Sequence, residues 1–381
     1  MSAIACGEQK RKKRRTGLKQ QTPRNIEVQR KQELLNRIAP GLLTWYDKSR
    51  RSLPWREEPT PYRVWVSEIM LQQTRVEAVK PYFRRFTEEL PDPAALAECP
   101  EEKLLKLWEG LGYYNRVRNM QIAAQTVVEE YDGVLPASYE KLLSLKGIGS
   151  YTAGAIAAIA YDIPVPAVDG NVLRVITRII EDDGDIMKQS VKKRIENKLQ
   201  EIMPGEYPGD FNQALMELGA VVCVPNGEPK CDVCPVAFCC GARAHGTIDR
   251  FPVKAQKKDR KLEDRTVLVI QDGEKTAIRR RPSRGLLAGL YELPNLKGHL
   301  SEEEVLESVK AMDLEPLRIE ALPEAKHIFS HIEWRMTAYR VRVSSLEEIR
   351  QNDLLFVGKR QSDDQYAIPS AFSAYTKYIR E

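Results

Sequence analysis

Five cysteines fall between residues 223 and 240, and four of them, Cys223, Cys231, Cys234 and Cys240, follow the spacing C-x7-C-x2-C-x5-C. Four thiolates this close on one loop suit a tetrahedral S4 site, either an iron–sulfur cube or a structural zinc. Cys239 adjoins Cys240, so the fourth ligand is open by one residue, while Cys6 and Cys99 stand alone. A second feature is Leu145-Lys146-Gly147-Ile148-Gly149-Ser150-Tyr151-Thr152-Ala153, in which two glycines join a short helix to a longer one. Amides at a helix start lack intrahelical partners and carry the positive end of the dipole. Gly147 and Gly149 leave no side chain in the way of a phosphate. The same letters can spell a plain helix–helix turn, and the neighbouring cysteine loop favours the phosphate site.

Two carboxylates have surroundings that suit chemistry. Glu68, in Val66-Ser67-Glu68-Ile69-Met70-Leu71-Gln72-Gln73-Thr74, lies among Trp65, Ile69 and Leu71 on a largely apolar helix. A carboxyl in such a place has a raised pKa and can donate a proton, unless it sits on the helix surface. The polar Gln72-Gln73-Thr74 that follows implies that this helix end faces something polar. Asp169, in Val168-Asp169-Gly170-Asn171-Val172, precedes a helix whose apolar face is Val172, Val175, Ile176 and Ile179. It reads first as an N-cap, and also as a carboxylate kept ionised by helix amides and facing a developing positive charge. The two roles are compatible.

These groups need a frame, and 381 residues suggest two or three domains. Charged residues make up 30% of the chain, and its net charge is +5. Residues 1–31 hold ten Lys or Arg and two Glu, a net of +8, so the remainder carries about −3. With the basic run Lys10–Arg15, this segment reads as a disordered arm that either solubilises the chain or touches nucleic acid. Apolar residues at helical spacing mark segments 33–49, 62–73, 75–89, 101–109, 114–131, 150–161, 171–181, 190–203 and 209–222. Residues 32–245 thus form a helical domain, and the polar, basic stretch 246–264 reads as a linker. Residues 265–381 change texture. Thr266–Ile270, Lys275–Arg280 and Trp334–Val343 read as strands, with a turn at Asp272-Gly273. Ser301 caps a helix to about Met312 with Glu304 completing a capping box, and a last helix follows Ser370. The fold class is mainly α, followed by a smaller α+β domain. The longest uncharged apolar stretch, Gly147–Tyr161, is too short for a membrane span, which takes about 20 residues. No apolar h-region follows the basic run, so a reducing compartment is expected, where clustered cysteines favour metal binding over disulfides.

Together these features resemble the helix-hairpin-helix DNA glycosylases with an iron–sulfur loop. Residues 53–74 (LPWREEPTPYRVWVSEIMLQQT) and 110–119 (GLGYYNRVRN) narrow the resemblance to the MutY-type adenine DNA glycosylases, over about 32 to 375. The resemblance implies a six-helix barrel on a cluster-bearing module with the loop at 223–240. It implies a [4Fe-4S] cluster on Cys223, Cys231, Cys234 and Cys240, with one more residue in the first interval than the family commonly has. It implies a general acid at Glu68 and a transition-state stabiliser at Asp169, assisted by Tyr151 and Asn171. Arg56 and Gln213 match positions lining the adenine pocket. Gln73 and Tyr113 match side chains that wedge into the base stack, and Gly147 and Gly149 the phosphate-binding hairpin. The C-terminal domain resembles a Nudix fold without the hydrolase function: Gly285–Pro294 starts like that family's box, and the acidic RE-x2-EE stretch does not follow. Phe329, Ser330 and His331 match the lesion-reading loop.

The activity implied is hydrolytic removal of adenine mispaired with 8-oxoguanine, or guanine, in double-stranded DNA. Adenine inside a duplex must first be flipped out, at a cost of roughly a few kcal/mol, and wedging side chains hold the gap. Two carboxylates with opposite roles parallel glycoside hydrolysis. Ser150 and Tyr151 occupy the places where related lyases carry their Schiff-base lysine, so base removal without strand cleavage is expected. That separates the chain from oxidised-pyrimidine glycosylase-lyases, and the missing acidic box separates it from nucleotide-pool hydrolases. A monomer without membrane contact is expected, cytoplasmic and nucleoid-associated in a bacterium or nuclear in a eukaryote.

Overall fold

A computed structural model describes residues 23–255, 259–273, 275–344 and 354–379. Its first half is helical, as the apolar spacing requires. Helices Pro61–Leu71, Val76–Glu89, Glu101–Leu107, Asn115–Glu130 and Ser150–Tyr161 enclose one core around Trp65, Phe83, Phe86 and Trp108. Helices Ile38–Ser49, Gly170–Ile180, Gln189–Ile202 and Pro208–Val221 enclose a second around Leu42, Ile176, Ile195, Phe211 and Leu218. Bounds fall within a residue or two of the expected segments, because prolines and caps end them: Pro61 and Pro208 sit in first turns, and Thr60 and Asp169 cap with their side chains.

Three stretches differ from the sequence reading. Segment 33–49 is two helices, Pro23–Asn36 and Ile38–Ser49, broken at Arg37. The first buries Leu35 in the second core, so the expected disordered arm of residues 1–31 contains helix from Pro23 onward. Residues 1–22, with the Lys10–Arg15 run and Cys6, lie outside the described residues. Within 246–264, read as a linker, Ile248–Arg250 forms a 3-10 turn. The Phe251 carbonyl accepts from buried Arg178 (3.1 Å), and the Val253 carbonyl from the Ile186 amide (3.1 Å). This half of the stretch packs on the helical domain because backbone groups there find partners.

Among its described residues the second half is built on seven strands: β1 (Lys261–Gln271), β2 (Lys275–Arg280), β3 (Tyr291–Glu292), β4 (Asn295–Lys297), β5 (Pro316–Ile328), β6 (Ile332–Val343) and β7 (Leu354–Gly358). The sheet order is β3-β2-β1-β6-β5, with β4 also on β1 and β7 on β2; β1 and β6 run parallel. Val267-Leu268-Val269-Ile270 is apolar without alternation because both faces of β1 are covered. Val267 and Val269 face Trp334, Phe372 and Tyr375, while Leu268 and Ile270 face Val305 and Val309 of helix Glu302–Lys310. Ser301 and Glu304 form the full capping box. β5 was not anticipated: its exposed Arg318, Glu320 and Lys326 hide any alternation.

Close backbone approaches bring the two helical cores together. A Cβ at Gly154 would lie 2.4 Å from the Pro166 carbonyl oxygen, and one at Gly209 2.7 Å from that of Ala158. A Cβ at Gly219 would lie 2.6 Å from Asn171 Cβ and 3.1 Å from its Cα. Gly219→Ala is therefore expected to lose about 1–3 kcal/mol by overpacking, read as a lower urea midpoint. A midpoint equal to the parent's would show that the helix Pro208–Val221 has room to move away.

Candidate active site

A cleft of about 690 Å³ opens between the two helical cores, within the span of about 300–1,000 Å³ usual for small-molecule sites. Glu68 enters from the first core. It lies on the buried face of Pro61–Leu71 and is only 6% exposed. Asp169 enters from the second core as the N-cap of Gly170–Ile180. Tyr151, on the first turn of Ser150–Tyr161, donates its hydroxyl to Glu68 Oε2. Asp169 accepts from the Val172 amide (2.7 Å) and from Asn171 Nδ2 (2.7 Å). Asn171 Oδ1 accepts in turn from Arg174 (2.9 Å), whose other donors reach the Cys223 and Gly219 carbonyls (2.8 Å each).

The two carboxyls have different environments. Burial pushes Glu68 up to about 7; the Tyr151 hydrogen bond opposes this, the Asp169 charge adds to it, and the Arg56 charge opposes it. Burial also raises Asp169, against the Val172 amide and the Asn171 side chain, both of which favour its charged form. One carboxyl thus keeps its proton near neutrality beside another whose anion has fixed donors, a division suited to acid and charge-stabilising roles.

Arg56 and Gln213 line the same cleft and bond each other, Arg56 Nε to Gln213 Oε1 at 3.0 Å. Behind them is a residue the sequence reading missed. Glu217, 1% exposed, accepts from Arg51 Nε (2.6 Å) and Nη2 (3.0 Å) and from Arg56 Nη2 (2.9 Å). Burial would raise its pKa, but the Arg51 hydrogen bond and the Arg56 charge win and hold it below the ordinary carboxylate range. Its letters sit in an apolar helical run, Leu215-Met216-Glu217-Leu218, where nothing but a carboxylate among hydrophobes could have marked it.

Other expected residues stand elsewhere. Gln73 rims the cleft just past the Glu68 helix. Tyr113 lies outside it, half exposed, with its hydroxyl 3.0 Å from Ser330 Oγ of the second half. Gln73 (φ 62°) and Tyr113 (φ 48°) both adopt left-handed backbone, which costs a side-chain-bearing residue roughly 1–2 kcal/mol. Ser330 and His331 are exposed, but Phe329 packs edge-on against Trp334 and His327, with ring centroids 5.0 and 4.6 Å away. Gly147 needs its positive φ of 79°, and a Cβ there would lie 2.7 Å from Asn119 Cβ. Gly149 caps Ser150–Tyr161 with open space before it.

Cys223, Cys231, Cys234 and Cys240 line one small apolar cavity with Arg178 and Arg243. Arg178 Nη1 lies 3.2 Å from Cys223 Sγ. Cys239 does not line it: its thiol donates to the Val236 carbonyl (3.3 Å) inside the second core. Among the described residues, no three His, Cys, Asp or Glu side chains form a ready single-ion site.

The chain matches two families, an HhH-GPD superfamily base excision DNA repair protein over residues 66–204 and a NUDIX domain over 266–378. It is 36% identical to a Mus musculus adenine DNA glycosylase over 359 residues, spanning 78% of this chain and 69% of that one. This chain belongs to the adenine DNA glycosylase family. Two further relatives are similar over most of the chain. A Buchnera aphidicola (strain APS) relative is 32% identical over 81% of this chain and 87% of its own length. A Schizosaccharomyces pombe relative is 34% identical over 69% and 70%. The protein is accordingly a DNA glycosylase, a hydrolase of N-glycosyl bonds. No described helix is long and apolar enough to cross a membrane.

Glu68 makes a prediction independent of turnover. Folded, it releases its proton near pH 7; unfolded, near its ordinary 4.5. The folded state therefore binds more protons across that window and loses stability as pH rises through it. Glu68→Gln should be more stable than wild type above pH 7, by up to about 3 kcal/mol, with the difference gone below pH 4.5. Parallel stability profiles from pH 4 to 8 would sink the assignment.

Proposed function

We propose that the protein removes adenine paired opposite 8-oxoguanine in double-stranded DNA, leaving the strand intact. The observation that carries this reading is the buried Glu68 carboxyl, bonded by Tyr151 and facing the amide-capped Asp169 across one cleft. The cleft opens at the Gln73 rim, where a flipped nucleotide can enter. Arg56 and Gln213, aligned by Glu217, offer planar donors and an acceptor to a purine edge. Glu68 gives its proton to a ring nitrogen of adenine as the C1′–N bond breaks, and the bond's electrons leave with the base. The sugar becomes cationic beside Asp169, whose anion lowers that barrier. Water then adds to C1′, and the Glu68 carboxylate takes up its proton, restoring the acid. Ser150 and Tyr151 supply no amine for a Schiff base, so the strand is not cut.

Cys223, Cys231, Cys234 and Cys240 are the residues that would hold a [4Fe-4S] cluster. Their donor set and the Arg178 contact to Cys223 Sγ fit an anionic sulfur site. When bound, the cluster supplies a rigid, electron-rich hub for the loop. We take Ser330 and His331 to face the 8-oxoguanine edge, with Phe329 as the anchor of that turn. The enzyme works as a monomer on chromosomal DNA, in the nucleoid of a bacterium or the nucleus of a eukaryote.

A duplex with one adenine opposite 8-oxoguanine, incubated with excess enzyme, should break at that adenine only after hot alkali. Breakage without alkali, or none at all, would overturn the reading. The single-turnover rate should decline as pH rises through about 7, where Glu68 loses its proton. Glu68→Gln should abolish excision yet retain mispair binding.

Cys239 and Cys240 separate cleanly. Cys240→Ser should lose the brown absorbance or make it labile, and weaken DNA binding; Cys239→Ser should keep both. The converse pattern would place the fourth ligand at Cys239, and stoichiometric zinc in colourless protein purified without air would replace the cluster altogether.

A further inference from the structure

Arg116 lies outside the cleft, yet its guanidinium donates to five backbone carbonyls. Nη1 reaches Ile69 (2.6 Å), Met70 (3.3 Å) and Gln72 (2.6 Å), at the end of the helix that carries Glu68. Nη2 reaches Leu111 (3.0 Å) and Gly112 (3.1 Å). Gln72 immediately precedes Gln73, and Gly112 immediately precedes Tyr113. The guanidinium carbon also lies 5.3 Å from the Trp108 ring centroid and 5.7 Å from that of Tyr113. Fully buried Trp108 donates its indole N–H to the Gly112 carbonyl (3.1 Å), fixing the second turn from below.

Gln73 and Tyr113 are the two non-glycine residues in left-handed backbone at this edge. Such a conformation persists in a side-chain-bearing residue only where its surroundings over-determine it. Here the two terminal amino groups of one planar fork, four N–H donors in fixed directions, satisfy carbonyls from both turns at once, which the ammonium of lysine, a single point with three donors, cannot do. No other side chain bonds both turns among the described residues. We propose that Arg116 is a positioning residue that locks the Gln73 and Tyr113 turns into one rigid unit, so that both side chains enter the DNA together. This rests on the reading of Gln73 and Tyr113 as wedging side chains.

The test is a cycle of single-turnover excision rates on the adenine:8-oxoguanine duplex. Arg116→Lys keeps the charge, so the salt dependence of DNA binding should not change. Its excision rate should drop about 10- to 100-fold, the scale of a small misplacement of positioning groups. In a Gln73→Ala/Tyr113→Ala background the same change should cost less than about twofold, because the side chains it positions are gone. An equal loss in both backgrounds, or no loss in either, would overturn the proposal. A Gln73→Ala/Tyr113→Ala protein that excises at the wild-type rate would instead refute the wedge reading beneath it. Amide exchange of the wild-type protein gives an arm that needs no variant. Amides around Gln73 and around Tyr113 should open with one shared rate and respond equally to urea, and independent openings would overturn the clamp.

Discussion

Taking the Glu68 carboxyl out of water is the constraint on which the rest of the site depends. Burial makes its charged form expensive, so the group stays protonated near neutrality and has a proton to give. Its direct partner is the Tyr151 hydroxyl, and Tyr151 reaches it only because the helix Ser150–Tyr161 lies against Pro61–Leu71. That helix also touches the backbone at Pro166 and the start of Pro208–Val221, through Gly154 and Gly209, where any side chain would collide. The segment from Pro166 leads directly into Asp169. One helix packed without side-chain clearance thereby sets the spacing between the two carboxyls.

Glu217 illustrates a second use of burial. A carboxylate this deep is seldom a net source of stability, since its desolvation offsets most of the attraction to its partners. Its geometry matters more: it engages both Arg51 and Arg56, leaving the Arg56 Nε pointed at Gln213. The cleft wall thus acquires an ordered row of hydrogen-bonded groups with little freedom to rearrange.

Most of this was legible in the letters where periodicity and punctuation act locally. The helices of the first half, the Ser301–Glu304 box and the buried strand at Val267–Ile270 follow from apolar spacing, prolines and caps. So did Glu68 and Asp169, each an acidic residue against an apolar run. What escaped has a common physical cause. The bonds of Arg116 run to backbone carbonyls, and those of Glu217 to arginines 161 and 166 positions away; neither leaves a local pattern. β5 escaped because one of its faces is solvated by charge, and the helix from Pro23 because its polar letters match those of a tail. The edge-on packing of Phe329 against Trp334 and His327 likewise joins ring partners that no local pattern announces.

The Ser330 turn reaches Tyr113 across the join between the two halves, so that contact is only as exact as the join. The join is not a tether. Leu290 and Ala367 of the second half are buried in the core of the first. Lys106 donates to the Tyr366 carbonyl (3.1 Å), Glu109 accepts from the Ile368 amide (2.7 Å), and Tyr291 donates to Glu102 (3.1 Å). These partners belong to the helix Glu101–Leu107 and the turn after it, and that turn continues through Trp108 and Gly112 to Tyr113. The segment that receives the second half is therefore the one that carries the Tyr113 ring. Arg116 bonds that turn and the end of the Glu68 helix together. The chain between residues 101 and 116 thus receives the second half, carries the Tyr113 turn and, through the Arg116 hydrogen bonds, holds the end of the Glu68 helix in a single continuous run.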